Sequence, residues 1–182
     1  MDTVYRTFWR RYWAMVIDFS LLFPLAVLVL VMGWQATAPA AQIAFHVFGS
    51  FYGVAYTVFF HSRYGQTLGK MATRVKVVDL SERPIGMRQA LWRDGPTILL
   101  CLAGAAFGIR AAMNGINPFK IDNQAALPPQ LVYANLIWIL AEYVTMLTNK
   151  RRRAIHDWIA GTLVIRTSPS AAPVAVIVPV VQ

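Results

Sequence analysis

Four long apolar stretches run through this 182-residue sequence and limit the folds that it can adopt. They cover about residues 12–34, 43–60, 97–113 and 131–147. A membrane-spanning helix needs about 20 largely apolar residues, with a range of roughly 17 to 25. Only 14% of the residues are charged, against about 25% in a soluble domain. The sequence therefore predicts an all-α membrane protein with about four transmembrane helices.

The basic residues predict which way these helices face. Lys and Arg are enriched in the cytoplasmic loops of membrane proteins. With a cytoplasmic N-terminus, 15 of the 17 Lys and Arg residues are cytoplasmic, and only Arg110 and Lys120 are outside. We therefore expect a multi-pass protein of the bacterial inner membrane with both termini in the cytoplasm. The cytoplasmic basic residues favour the anionic inner leaflet as a partner. They do not predict a nucleic-acid binder, because they do not form a polar soluble face.

An alternative interpretation of the first stretch is a cleaved signal peptide, because residues 36–38 read Ala-Thr-Ala after a basic and apolar segment. The apolar run is too long for a signal peptide and contains Asp18. We therefore expect the first stretch to remain as a membrane span.

The charged segment 62–96 predicts a short folded element on the cytoplasmic side. Charged and apolar residues alternate over 74–78, which is typical of a strand, and residues 163–165 predict a second one. Residues 86–92 predict an interfacial turn of helix before a third span that begins near Pro96, and residues 155–159 a short helix.

Two acidic residues, Asp18 and Glu142, lie inside predicted spans. A carboxylate in a membrane helix costs about 2.5–3.5 kcal/mol, so such residues are functional candidates by default. Both lie about 9 Å from the inner ends of their spans, which makes them a candidate proton or cation site. Arg11 lies two helical turns before Asp18 on the same face. The alternative is that both acids are structural and hold helices together through hydrogen bonds.

Glycines spaced four residues apart predict close helix packing. They form two pairs, Gly49 with Gly53 and Gly104 with Gly108. We predict no catalytic set, metal site or cofactor, because Cys101 is the single cysteine and the two histidines of the second span are about 22 Å apart.

Three sequence patterns together resemble the RDD family of small bacterial membrane proteins. The first runs from Arg11 to Asp18 (RYWAMVID), the second is GQTLGK at residues 65–70 followed by RVKVVD at 74–79 and by Arg93, and the third is HDWIAGT at 156–162. The resemblance covers most of residues 6–166 in the same order. It implies an RDD-like transmembrane domain over residues 1–166, followed by an apolar tail over 167–182.

The family is named for one arginine and two aspartates. By position, Arg11 and Asp18 match the arginine and the first aspartate, and we assign the second to Asp157, with Asp79 and Asp94 as alternatives. Because an acid near Arg11 lowers the cost of burying both charges, we expect Arg11, Asp18 and Asp157 to converge at the inner membrane interface.

The resemblance leaves two functions open, because some members of the family are described as sodium or proton exchangers and others as regulators or accessory subunits. The chain shows no inverted repeat, which many secondary transporters have. We therefore expect first an accessory or structural subunit, or a regulator, of a membrane complex. This interpretation implies no enzyme activity and a membrane-protein partner or a second copy of the chain. The alternative is a small cation/proton exchanger that uses Asp18 and Glu142.

Overall fold

The computed structural model describes residues 3–120 and 129–167. Six α-helices and two strands follow a short 3-10 turn at Thr3–Tyr5. The elements are α1 Phe8–Gln35, α2 Pro39–Tyr64, α3 Leu68–Ala72, β1 Val75–Asp79, α4 Met87–Met113, α5 Pro129–Thr148, α6 Ile155–Ile159 and β2 Thr162–Arg166. Helices α1, α2, α4 and α5 are long and apolar enough to cross a membrane. The prediction of an all-α membrane protein with four spans is confirmed, while residues 168–182 of the predicted tail lie outside the described residues.

Helix α4 begins earlier than the sequence predicts. It runs without a break from Met87, with Pro96 inside it, so the prediction of a separate interfacial turn over 86–92 is wrong. A proline can be accommodated within a membrane helix where neighbouring groups satisfy the freed backbone. The early start brings Arg93 and Asp94 onto the same helix as the third span.

The two predicted strands form a two-stranded antiparallel sheet. Val75 pairs with Arg166 and Asp79 with Thr162, so the loop after α2 is joined to the segment after α6. Val75, Val77 and Val164 of this sheet form one buried cluster. The other members of the cluster are Val58 of α2, Ile85 before α4 and Ala90 of α4. The sheet therefore closes one end of the helical bundle.

Close helix packing is observed at some of the predicted glycines and not at others. A Cβ atom on Gly108 would lie 2.0 Å from the ring of His46, and one on Gly49 would lie 3.1 Å from Val29. At Gly104 the carbonyl oxygen lies 3.1 Å from Nε2 of His46. Gly53 contradicts the prediction within the described residues, because none of their atoms outside the local backbone of α2 lies within 4 Å of an added Cβ.

Side-chain contacts at the two ends of the bundle show the direction in which each long helix runs. At the sheet end of the bundle, Arg11 of α1 and Arg93 of α4 both reach Asp157 of α6. At the opposite end, Asn117 donates hydrogen bonds to Gly33 O and Trp34 O. The helices therefore alternate in direction, and both described chain ends lie at the sheet end.

Cysteine labelling tests which side of the membrane this end faces. We expect a cysteine at position 38 to react with an impermeant reagent in intact cells and one at position 80 not to react, because the basic residues concentrate at the sheet end. Ala38 and Leu80 are both exposed, and Cys101→Ser supplies the background. Labelling of position 80 from outside would reverse the orientation.

Candidate functional site

Asp157 lies at the centre of a buried network that joins four elements. The side chain is fully buried. Its Oδ2 accepts hydrogen bonds from Arg11 Nη1 at 2.8 Å and from the Ala154 backbone N–H at 2.9 Å. Its Oδ1 accepts from Arg93 Nη1 and, at 3.3 Å, from the Thr162 hydroxyl. We call these five residues the Asp157 network.

The charges of this network explain why Asp157 stays ionised. Burial by itself raises the pKa of a carboxyl group, but the guanidinium groups of Arg11 and Arg93 outweigh it and hold the pKa of Asp157 well below its usual range. Two arginines share one carboxylate. The network is therefore a strongly coupled ionic contact that holds α1, α4 and α6 together.

Asp18 makes its contacts elsewhere, at the start of the short helix α3. Its Oδ1 accepts hydrogen bonds from the Tyr56 hydroxyl and from the Gly69 backbone N–H, both at 2.7 Å. Its Oδ2 accepts from the Thr67 hydroxyl at 2.6 Å. Because three donors converge on one carboxylate, Asp18 fastens the loop between α2 and β1 onto α1.

A close backbone approach makes the Asp18 contacts possible. A Cβ atom on Gly69 would lie 2.1 Å from the Ala14 carbonyl oxygen and 2.8 Å from Cγ of Asp18. Thr67 is the N-cap of α3, and its hydroxyl also accepts from Lys70 N–H. The GQTLGK pattern therefore places a capping threonine and a closely packed glycine against the first helix.

Glu142 of α5 pairs with His156 of α6. His156 Nδ1 lies 2.6 Å from Glu142 Oε2, and the His156 backbone N–H donates to Oε1 at 3.0 Å. His156 Nε2 faces Arg93 Nη2 at 2.7 Å and Arg11 Nη2 at 3.2 Å. Since Nε2 faces two donors, the ring proton belongs on Nδ1. Burial and the charge of Arg93 lower the pKa of His156, so the imidazole is neutral at pH 7.

A second chain of titratable groups runs from α3 through α2 to α4. Lys70 Nζ lies 2.6 Å from His61 Nε2, and His61 Nδ1 lies 3.6 Å from Asp94 Oδ2. Burial lowers the pKa of Lys70 to about 7, with the positive charges of Arg93 and Arg11 as further causes, against the opposing effect of Asp94 and Asp18. Lys70 therefore gains and loses a proton near neutral pH.

These groups surround one cavity of about 470 Å³ between α1, α2, α4 and α5. A water molecule occupies about 30 Å³ in the liquid, so the cavity has room for several. The acidic, basic and histidine side chains that line it are those of Arg11, Asp18, His61, Lys70, Arg93, Asp94, Glu142 and His156. We call it the polar cavity. Titratable side chains therefore line a cavity between helices that are long enough to cross a membrane.

The structure brings some of the predicted site residues together and separates others. Arg11 and Asp157 are in direct contact. Asp18 lines the polar cavity together with Arg11. Its own hydrogen bonds come from Tyr56, Thr67 and Gly69, so its place in one cluster with Arg11 and Asp157 stays a prediction. Asp18 and Glu142 line the same cavity. Within residues 3–120 and 129–167, no three His, Cys, Asp or Glu side chains form a group that could hold a metal ion.

Several residues of the site escaped the sequence reasoning. Lys70, His61 and Asp94 were not predicted as neighbours, and neither was Arg93 as a partner of Asp157. One available signal was the placement of the Arg93–Asp94 pair next to an apolar run, where two adjacent charges need partners.

The fold and the polar cavity define the chain as a polytopic helical membrane protein with ionisable residues inside the bundle. The model of the RDD family matches residues 5–161. The chain belongs to the RDD family. A search of curated proteins found no match, and a search of solved structures found none either.

Proposed function

We propose that this protein exchanges protons for a small monovalent cation through the polar cavity. The observation that carries the proposal is that Asp18 and Glu142 line the same cavity as a lysine whose pKa is about 7. Intramembrane ionisable residues that face a cavity mark proton and ion pathways. The shared cavity favours exchange over the accessory role that the missing repeat suggests.

The proton is carried by Lys70 in this proposal. Protonated Lys70 donates to His61 Nε2, and His61 in turn faces Asp94. Around Lys70, the charged groups are Arg11 and Asp18 from α1 and Arg93 and Asp94 from α4. Loss of the proton removes one positive charge from this set. The cavity then attracts a cation more strongly.

The cation binds with its water in this proposal. Asp18, Asp94 and Glu142 line the cavity from three different helices. The carboxylates act on the ion through its water shell, because the oxygens of Asp18 and Glu142 already accept hydrogen bonds from the protein. A volume of about 470 Å³ accommodates an ion with its first water shell.

Purified protein in proteoliposomes with an interior pH dye provides the test. We expect sodium, lithium or potassium gradients to drive proton movement, and we expect the rate to rise as pH increases through about 7, because Lys70 is neutral above its pKa. Glu142→Gln should abolish most of the flux. Lys70→Met should abolish the proton movement, because methionine cannot carry the proton that the exchange requires.

Matched controls separate these effects from general charge loss. Glu82→Gln and Lys150→Met remove the same charges at exposed positions outside the cavity and should leave the flux unchanged. Absence of flux under all three cation gradients, in protein that remains folded, would overturn the proposal. Equal loss in Glu142→Gln and Glu82→Gln would also overturn it.

A second candidate function is that of an accessory subunit of a membrane complex, and the exposed surface of α5 favours it. Tyr133, Ile137 and Leu140 are each more than 60% exposed, so lipid or a helix of another subunit must cover them. This function predicts that a membrane protein co-purifies in a fixed ratio and that the purified chain carries no flux. The bilayer itself is a partner under either proposal.

A further inference from the structure

A second cavity, separate from the polar cavity, opens at the sheet end of the bundle. It has a volume of about 310 Å³ and is lined by the start of α1, the end of α5 and the end of β2. Four of its seven lining residues are arginines, and none is acidic. The lining residues are Arg6, Phe8, Trp9, Arg10, Leu147, Arg152 and Arg166. We call it the arginine cavity.

Three of the four arginines of this cavity donate side-chain hydrogen bonds to backbone carbonyl groups. Arg10 Nη1 donates to Thr73 O at 2.7 Å, and Arg166 Nε donates to Arg6 O at 3.0 Å. Arg152 Nη1 donates to Leu147 O at 2.6 Å. Each guanidinium has five N–H donors, so these bonds orient the groups and leave further donors for a ligand.

The positive charge of the arginine cavity is not neutralised by the protein. In the part of the chain that the structure describes, none of the four arginines lies within 4.0 Å of a carboxylate oxygen. Like charges gathered in one concavity repel each other. An anion bound among them removes that repulsion, and planar guanidinium groups match the oxygen geometry of a phosphate.

Apolar side chains beside the arginines indicate what carries the anion. Trp9 is 68% exposed and Leu147 is 52% exposed, and both line the same cavity. They lie where two predicted spans leave the membrane. Tryptophan side chains are enriched at this level, beside lipid headgroups. The anionic part of a ligand in this cavity would contact the arginines. The neighbouring apolar part of the same ligand would contact Trp9 and Leu147.

We propose that the arginine cavity binds the phosphate of an anionic phospholipid, with the acyl chains against Trp9 and Leu147. The recognised chemistry is a phosphate group. A lipid is favoured over a free phosphate ester because Trp9 and Leu147, at the ends of two predicted spans, line the cavity beside the arginines. None of its residues lines the polar cavity, so this site does not depend on proton or cation exchange.

Native mass spectrometry of the full chain in a neutral detergent provides the test. We expect phosphatidylglycerol to remain bound to the protein, while zwitterionic phosphatidylcholine is lost. Arg6→Gln should weaken phosphatidylglycerol binding about fivefold, which is the contribution of one basic residue at an anionic lipid surface. Arg6→Gln combined with Arg10→Gln should weaken it by on the order of 20-fold.

Arg63→Gln is the matched control, because Arg63 is an exposed residue near the end of α2 and lies outside the cavity. A neutral micelle has no charged surface, so this change should alter binding less than twofold. The proposal is overturned if the double variant, with an unchanged melting temperature, binds phosphatidylglycerol as Arg63→Gln does, or if phosphatidylcholine binds equally well. Displacement of the lipid by glycerol 3-phosphate at equal concentration would overturn the lipid as the occupant.

Discussion

Asp157→Asn should lower the free energy of unfolding by about 3–5 kcal/mol, because it leaves two buried arginines without a counter-charge. Arg11 and Arg93 are 8% and 3% exposed, and both donate to this carboxylate. Asparagine keeps the shape of the side chain but replaces one acceptor oxygen with an NH2 donor that faces other donors, so the loss combines charge and hydrogen bonding. Thermal unfolding in detergent measures the loss.

The pH dependence of this deficit distinguishes charge from packing. Because the folded pKa of Asp157 is depressed, its stabilisation is complete above the unfolded pKa of about 4 and is lost only as pH falls through the folded value. The difference between wild type and Asp157→Asn should therefore stay constant from pH 8 to pH 5 and shrink only at pH values below about 4, whereas a deficit caused by packing alone would not change with pH. Glu82→Gln, an exposed change, should cost less than about 0.5 kcal/mol. A similar melting temperature for both variants would contradict the prediction.

Gly69→Ala should destabilise the protein by about 1–3 kcal/mol or more, because the added methyl group meets backbone that cannot turn away. The new Cβ would lie 2.1 Å from the Ala14 carbonyl oxygen. To avoid this clash α3 must move away from α1, and the movement lengthens the hydrogen bond from the Gly69 N–H to Asp18. A lower melting temperature and faster proteolysis of the 65–74 loop are the expected results.

Gly53→Ala is the matched control within the same chain. Gly53 lies inside helix α2, and a Cβ added there would have no neighbour within 4 Å in the part of the chain that the structure describes, apart from the helix's own backbone. Alanine favours helix over glycine by about 1 kcal/mol, so the melting temperature should stay the same or rise slightly. If both alanine variants melt alike, the close approach of α3 to α1 is wrong.

The spans were predictable because a run of apolar residues long enough to cross a bilayer has few alternative structures. The strands and the short helix α6 were predictable from alternation and from their polar boundaries. The start of α4 was not. Its first residues include Arg88, Arg93 and Asp94, and hydropathy assigns such residues to a loop. Their charges are tolerated within the helix because Arg93 and Asp94 find partners on other elements.

The partners of the buried charges depend on tertiary structure, which is why sequence reasoning found only part of the site. Helical spacing predicts that Arg11 and Asp18 share one face of α1, and only the family resemblance adds Asp157 as a neighbour of Arg11. In the fold, Asp18 is occupied by residues 38 to 51 positions away, and Arg11 meets Asp157 at a separation of 146. Arg93 and Asp157 are 64 positions apart. No local pattern encodes contacts at such separations.

The late position of Asp157 in the chain has a consequence for biosynthesis. Arg11 and Arg93 are synthesised well before the carboxylate that neutralises them, and β1 is synthesised long before β2, its partner. During translation both arginines therefore remain in contact with water or lipid headgroups, and the loop after α2 stays unpaired. The sheet end can close only once residues 155–166 have left the ribosome. A nascent chain interrupted before that point carries arginines without their counter-charge and an open strand edge, which can pair with another chain.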